Sequence, residues 1–279
     1  MTYRPLPYEL YDTQEAVGKQ WVAHPSPEHR RLLGLARDAL CFVFATGQPY
    51  RFEDFRRRLE ADGHPTPGTF DTPGNDFARL EEHLSSTREF LTRRRDEADT
   101  SRDKEVLQAI VDTLHFISAT GQHRTFNEYL EHIAADAPPY VIASFDTKAE
   151  AEAWLENQPI PPDSASVLIA DAYHWVVHDE EAGIFRLPRV RDLGQHLADL
   201  KKRHPPAPVA SFANREEAEA WWKAQPAPAR WAWVSVADEP YLSVYHPNIQ
   251  HRALYPLSMA DGYEVDDEEE DDEVGSGES

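Results

Sequence analysis

A nineteen-residue block, ASFDTKAEAEAWLENQPIP at residues 143–161, returns without a gap as ASFANREEAEAWWKAQPAP at residues 210–228, with eleven positions identical. Such a chain must build the same local unit twice. In each copy a β-branched and aromatic run (residues 140–145 and 209–212) reads as a strand. Asp146-Thr147 or Asn214 then offers side-chain oxygens to the orphan N–H groups that open a helix. Glutamates follow in the first turns, where the helix dipole favours negative charge. Ala149, Ala151, Ala153, Trp154 and Leu155 keep a three-to-four spacing that Ala218, Trp221 and Trp222 repeat. Pro159 and Pro226 end the helix, because proline cannot continue the hydrogen-bond ladder.

Beyond the helix each copy offers a short strand (residues 167–170 and 233–237), a turn at Asp171 or Asp238-Glu239-Pro240, and a further strand (residues 173–178 and 241–246). Two β-α-β-β units result, joined by a helix over residues 190–203 with Leu193, Leu197 and Leu200 on one face. One three-stranded unit buries little apolar surface, so the two are expected to pair about a pseudo-twofold axis in one duplicated sheet domain over residues 138–259.

The N-terminal half hides a second duplication. RDALCFVFATGQPYRFEDFRRRLEAD, ending at Asp62, aligns with VDTLHFISATGQHRTFNEYLEHIAAD, ending at Asp136, at an offset of 74. Shared positions include Asp38/Asp112, Leu40/Leu114, Phe42/Phe116, Thr46/Thr120, Gly47/Gly121, Gln48/Gln122 and Phe52/Phe126. Each copy reads as a helix, a tight Gly-Gln turn and a shorter helix, so residues 28–137 form a helical domain of two α-hairpins. The first helix starts at Pro27 with Ser26 as its cap. Residues 62–76 read as a loop, and a charged helix over residues 77–97 turns Leu80, Leu84 and Leu91 inward and Arg93, Arg94 and Arg95 outward. Residues 1–27 read as an extended proline-rich arm. The fold class is therefore α+β, a pair of α-hairpins followed by a duplicated β-α-β-β sheet domain.

Net charge is −22, and eleven of the carboxylates fall between Asp261 and the last residue with no cation among them. Residues 260–279 are expected to be a disordered acidic tail, a solvating segment or an anionic arm for a basic partner. Strong acidity disfavours nucleic acid and anionic membrane as partners. The opening MTYRPLPYELYD has no basic stretch followed by an apolar block, and no run approaches the ~18 apolar residues of a membrane span. A single cysteine, Cys41 in LCFVFA, excludes an internal disulfide framework and reads as an inert buried thiol. A cytoplasmic setting is expected.

Thirteen histidines invite a metal reading, but the counterparts of His115, His123 and His132 in the first hairpin are Cys41, Pro49 and Arg58, and no ligand-spaced motif occurs. No phosphate loop or nucleophile elbow occurs either, so no metal, cofactor or catalytic residue is expected. His178 and His246 read as equivalent strand-end residues, open to an acid-base role or to plain backbone bonding. Arg56, Arg57 and Arg58 read as partners of nearby carboxylates rather than DNA contacts. Six of the seven tryptophans lie in the sheet domain; Trp154 and Trp221 read as core, while Trp222, Trp231 and Trp233 crowd the second copy as candidate partner anchors.

The segments ASFDTKAEAEAW and ASFANREEAEAW, VLIADAYHWVV, WVSVADEPYLSVYHPN and HRALYPLSMADGYE resemble a paralogous family of soluble bacterial proteins with tandem copies of this unit. The likeness extends more loosely to PLPYELYD and RDALCFVFATGQ. It implies no catalytic residue; acidic paralogs of this kind imply a role in toxin neutralisation. The opening SF and alanine-rich helix are also similar to SPOR peptidoglycan-binding domains. The expected function is a non-catalytic, immunity- or antitoxin-like protein that binds a basic partner through Trp222, Trp231, Trp233, His178 and His246. The alternatives are an enzyme with a site near His178 and His246, or a self-assembling scaffold.

Overall fold

The computed structural model describes residues 26–62, 75–179 and 183–263, so the expected arm at residues 1–27, loop at 62–76 and tail at 260–279 fall wholly or largely outside the described residues. The architecture is α+β, with helices first and then small mixed sheets interleaved with helices. The chain divides into two compact units. One runs as far as Arg189 and takes in His246–Gln250; the other comprises Val190–Tyr245 and the chain from His251 onward.

The first unit opens with helices α1 (Pro27–Ala45), α2 (Pro49–Asp62), α3 (Asn75–Glu97), α4 (Ser101–Ala119) and α5 (His123–Ala134). Their apolar stripes meet in one core containing Leu33, Leu40, Phe42, Leu84, Leu91, Ile110, Leu114, Phe116 and Phe126. Ser26 holds the cap position, but its side chain makes no capping hydrogen bond, contrary to expectation. Pro27 in the first turn has no N–H to satisfy, which lowers the demand for that bond. Helix α4 begins ten residues before the aligned block at Val111, because Thr100 accepts from the Asp103 N–H and starts it there.

The two ATGQ segments make the same turn. Gly47 and Gly121 lie at φ +67° and +69°, where only glycine is unstrained. The Gln48 N–H donates to the Val43 carbonyl at 2.8 Å and the Gln122 N–H to the Ile117 carbonyl at 3.0 Å. Thr46 and Thr120 return their hydroxyls to Phe42 and Phe116 at 2.5 and 2.6 Å. The side chains then meet reciprocally. Phe42 crosses Phe126 at 5.2 Å and 61°, and Phe52 crosses Phe116 at 5.6 Å and 63°. Since Phe42 corresponds to Phe116 and Phe52 to Phe126, this is the contact pattern of an isologous pair within one chain. Between them the Gln48 amide donates to the Gln122 side-chain oxygen at 2.7 Å.

Still in the first unit, β1 (Val141–Phe145) leads through α6 (Lys148–Glu156) to β2 (Ser166–Ile169) and β3 (Ala172–Trp175), in the order β1-β2-β3. The sequence reads residues 173–178 as one strand, but the strand breaks at Val176. That residue's N–H goes to the Ala165 carbonyl at 2.8 Å and its carbonyl to the Ser164 N–H at 2.9 Å, so β4 (Val177–Asp179) pairs separately with β5 (Ile184–Arg186). In the second unit α7 (Asp192–Arg203) buries Leu193, Leu197 and Leu200 as expected. There β6 (Ser211–Phe212), β7 (Trp231–Val236), β8 (Glu239–His246, whose last residue belongs to the first unit) and β9 (His251–Pro256) form a sheet in the order β6-β7-β8-β9, with α8 (Arg215–Ala224) between β6 and β7 in the chain.

The two sheets share register at an offset of 67. Ser144 faces Leu168 and Phe145 faces Ile169, as Ser211 faces Ser235 and Phe212 faces Val236. Ile169 opposes Ala172, as Val236 opposes Glu239. Core residues correspond too: Ala151, Leu155, Val167, Ile169 and Leu187 in one sheet, and Ala218, Trp222, Val234, Val236 and Leu254 in the other. Correspondence reaches past the expected strands, for β5 and β9 start at matching positions behind a left-handed residue, Gly183 at φ +61° and Gln250 at φ +52°. IFRLPR and HRALYP share only a leucine in place, so this last strand is not legible as a repeat.

The β2–β3 and β7–β8 hairpins both turn on the dipeptide Ala-Asp with positive φ at each residue, 47° and 61° at Ala170-Asp171 and 50° and 66° at Ala237-Asp238. That geometry matches the right-handed twist of the flanking strands, but an alanine Cβ strains it. Ala237→Gly is expected to stabilise the protein by about 0.5–1 kcal/mol, relief of strain outweighing the added freedom of the unfolded chain. The check is a higher urea midpoint at unchanged slope; a lower midpoint would rule out strain at this turn.

Candidate binding surface

Helix α8 forms because Asn214 accepts from the Glu217 N–H at 3.0 Å while Glu217 accepts from the Ala213 N–H at 3.2 Å. Thr147 and Glu150 do the same for α6. The helix carries Trp221 and Trp222 with their rings stacked at 5.8 Å and 24°. Trp222 is 3% exposed and donates its indole N–H to the Val244 carbonyl at 3.0 Å. Trp233 is 4% exposed and donates to the His204 carbonyl at 3.0 Å. Neither presents a face to a partner; both hold the sheet together. Trp231 stays half-buried, set edge-on to Trp233 and tilted against His204.

What remains at the boundary of core and surface is a pair not anticipated from the sequence. Phe145 tilts against Trp154 at 5.5 Å and 50°, and Phe212 against Trp221 at 5.3 Å and 47°. All four rings are half-buried. A signal was present: these are the aromatic positions the nineteen-residue repeat keeps identical, nine residues apart in each copy. The sequence reading treats Trp154 and Trp221 as core, and each packs against its sheet's core cluster while remaining half-buried.

His178 and His246 are not equivalent, contrary to the sequence reading. Their spacing differs by one residue from the register, which sets His178 against Tyr245, and neighbouring strand residues point to opposite faces. The difference shows in the pairing across each hairpin. His178 opposes Phe185 and stacks on it at 4.6 Å and 17°, whereas Tyr245 takes the Arg252 guanidinium over its ring at 4.6 Å. His178 is half-buried; its N–H donates to Asp163 Oδ1 at 2.8 Å, and Tyr50 donates to its carbonyl at 3.3 Å. His246 is fully buried, 3.2 Å from the Tyr173 hydroxyl and stacked over His132 at 6.3 Å. Asn248 donates to the Val141 carbonyl at 2.7 Å. In these positions both histidines are packing groups within the first unit.

The most organised charge cluster lies among the helices. Glu81 accepts from Ser118 at 2.8 Å and Arg88 at 2.9 Å and meets His123 Nε2 at 2.6 Å. Burial pushes its carboxyl up, but His123, Ser118 and Arg88 together outweigh this and hold it below the usual glutamate range. A depressed carboxyl contributes stability above its unfolded value, and loses it as pH falls through the folded one. Glu81→Gln is therefore expected to destabilise by about 1–2 kcal/mol at pH 7, discounted for partial exposure, with the gap to the parent chain closing below about pH 4. Urea midpoints from pH 3 to 8 test this; a gap that widens in acid would reverse the sign.

Arg56 pairs with Asp112 on α4 at 3.2 Å, whereas Arg57 and Arg58 are exposed and bond along their own helix, Arg57 to Glu53 and Asp54 and Arg58 to the Asp54 carbonyl. Arg95 departs from the outward orientation expected for it and binds Gln108 on α4. Cys41 is half-buried, and burial followed by the nearby Asp38 pushes its thiol up, away from the reactive thiolate. Among the described residues no three His, Cys, Asp or Glu side chains converge as a metal site requires, and no helix is long and apolar enough to cross a membrane. No protein-family model, curated protein or solved structure matches this chain.

Proposed function

We propose that this chain is a non-catalytic binding protein, built by doubling a helical hairpin and a strand-helix-strand-hairpin unit, that engages a basic protein through its paired Phe-Trp ledges. The observation that carries the reading is the recurrence of the half-buried Phe-Trp pair at nearly the same distance and angle in both sheets. A cation can settle on the part of a half-buried indole left open, an attraction of about 0.5–2 kcal/mol at each site. The acidic balance, −22 overall, supplies long-range attraction for such a partner. Neutralisation of a basic toxin, as the family likeness implies, is one setting that fits this chemistry.

The test is titration with a fluorescent deca-arginine peptide at 50 and 300 mM salt. Trp154→Ala and Trp221→Ala, which leave the charge unchanged, are each expected to weaken binding about tenfold, and salt to weaken it further. Affinity that depends on salt yet ignores both substitutions would reduce the effect to net charge and overturn the ledges.

A further inference from the structure

Five residues, His246–Gln250, belong to the first unit although Tyr245 before them and His251 after them belong to the second. Their hold is polar. The Asn248 amide donates to the Val141 carbonyl of β1 at 2.7 Å, and His246 Nε2 lies 3.2 Å from the Tyr173 hydroxyl of β3. The 3-10 turn Pro247–Ile249 buries no side chain and Gln250 is exposed, so the fully buried His246 imidazole is the group that roots the segment.

A second imidazole faces it. His132, in the last turn of α5, is 3% exposed and stacks over His246 with ring centroids 6.3 Å apart and planes at 24°. Its Nε2 lies 2.7 Å from the Pro138 carbonyl, which can only accept, so Nε2 carries the proton of the neutral ring. The added proton of an imidazolium would then sit on Nδ1, an atom that is buried in both rings.

Tyrosines surround the pair. Tyr173 meets His246, Tyr140 stands edge-on to His132 at 5.1 Å, and Tyr129 of α5 lies behind Tyr140 at 5.4 Å. Beyond Tyr129 the Arg37 and Asp38 side chains bond to each other at 3.0 Å, and the Asp136 carboxylate follows His132 by four residues, past the end of α5. Tyrosines stay neutral throughout the acid range. Two imidazolium rings at 6.3 Å would repel each other and both would lose hydration, so burial disfavours charging the pair. Released from these contacts, each ring protonates near the ordinary histidine value of about 6.5. The folded arrangement then binds fewer protons than the released one, so its stability is complete above about pH 6.5 and declines as pH falls below that value. We propose that His132 and His246 form an acid-sensitive latch, which keeps His246–Gln250 in the first unit at neutral pH and releases the segment when the pair is protonated.

The experiment follows the Asn248 side-chain amide of the full chain by NMR between pH 7.5 and 5, above the range in which ordinary carboxylates titrate. Its signals report the bond to the Val141 carbonyl. They are expected to move toward free-amide positions as pH falls, while the backbone amides of α4 keep theirs. The ratio of released to held segment should rise by up to about tenfold per pH unit for each proton taken up. His246→Gln and His132→Gln, which cannot take the charge, should each flatten that rise. His132→Gln decides the matter alone if the other variant fails to fold, because it leaves the Tyr173 contact of His246 in place. Asn248 signals that stay fixed from pH 7.5 to 5 overturn the latch, as does a rise that His132→Gln leaves unchanged.

Discussion

Alanine at Gly47 is expected to cost about 2–4 kcal/mol, measured as a loss of unfolding free energy in urea. Two effects add. The residue lies at φ +67°, where an L side chain pays about 1 kcal/mol. The new methyl would also sit 2.5 Å from Pro162 Cβ and 3.2 Å from Pro162 Cα, with Ala165 Cβ at 3.1 Å. A proline ring cannot rotate aside, so the loop must shift, at about 1–3 kcal/mol. That shift would strain the Asp163 N–H bond to the Gly47 carbonyl and, one link further, the Asp163 carboxylate that anchors His178. Gly183→Ala separates the effects: its φ is +61° but no described residue lies within 4 Å of the added methyl, so only about 1 kcal/mol is expected. Equal losses in the two variants would show that the close approach of the turn to Pro162 carries no energy.

Replacing Trp222 by alanine should cost about 3–5 kcal/mol, the range for truncating a buried large aromatic, with part of the loss from a Val244 carbonyl left without its donor. The indole fills the space between Ala218, Val234, Val236 and Leu254. In the other sheet Leu155 occupies the matching place, so Trp222→Leu should recover roughly half of the loss. Trp231→Ala, at a half-buried site, should cost about 1 kcal/mol. The contrast decides what the crowded tryptophans are for. Were Trp222 an anchor for a partner, its removal would reduce affinity and leave stability nearly intact; a Trp222→Ala chain that unfolds at the parent urea concentration would contradict its place in the core.

Local features were legible wherever a short stretch carries its own cause. The caps at Thr147 and Asn214, the glycine turns at Gly47 and Gly121, and the leucine stripe of α7 need only residues a few positions apart. Both repeats were legible as well, and their shared registers follow from the shared pattern of alternation. Legibility failed where two distant segments compete for the same groups. The break at Val176 depends on Ala165 and Ser164 claiming its N–H and carbonyl, and no property of the run YHWVVH announces that. Strand β9 escaped notice because HRALYP lacks alternation; Ala253, Leu254 and Tyr255 are all buried in a row, which an edge strand shows only when both faces are covered.

The candidate surface divided along the same line. That Phe145, Trp154, Phe212 and Trp221 recur in step is a property of the sequence. That Trp222 and Trp233 are interior while those four rings stay half-buried is not. By itself the sequence determined the α+β plan, the doubling of two modules and the concentration of acid after Tyr263. Only the tertiary structure decided which aromatic rings and histidines are spent on packing, because burial is settled by the segments that arrive from elsewhere in the chain, and hydrophobic patterning cannot distinguish a ring that closes a core from one that waits at its rim.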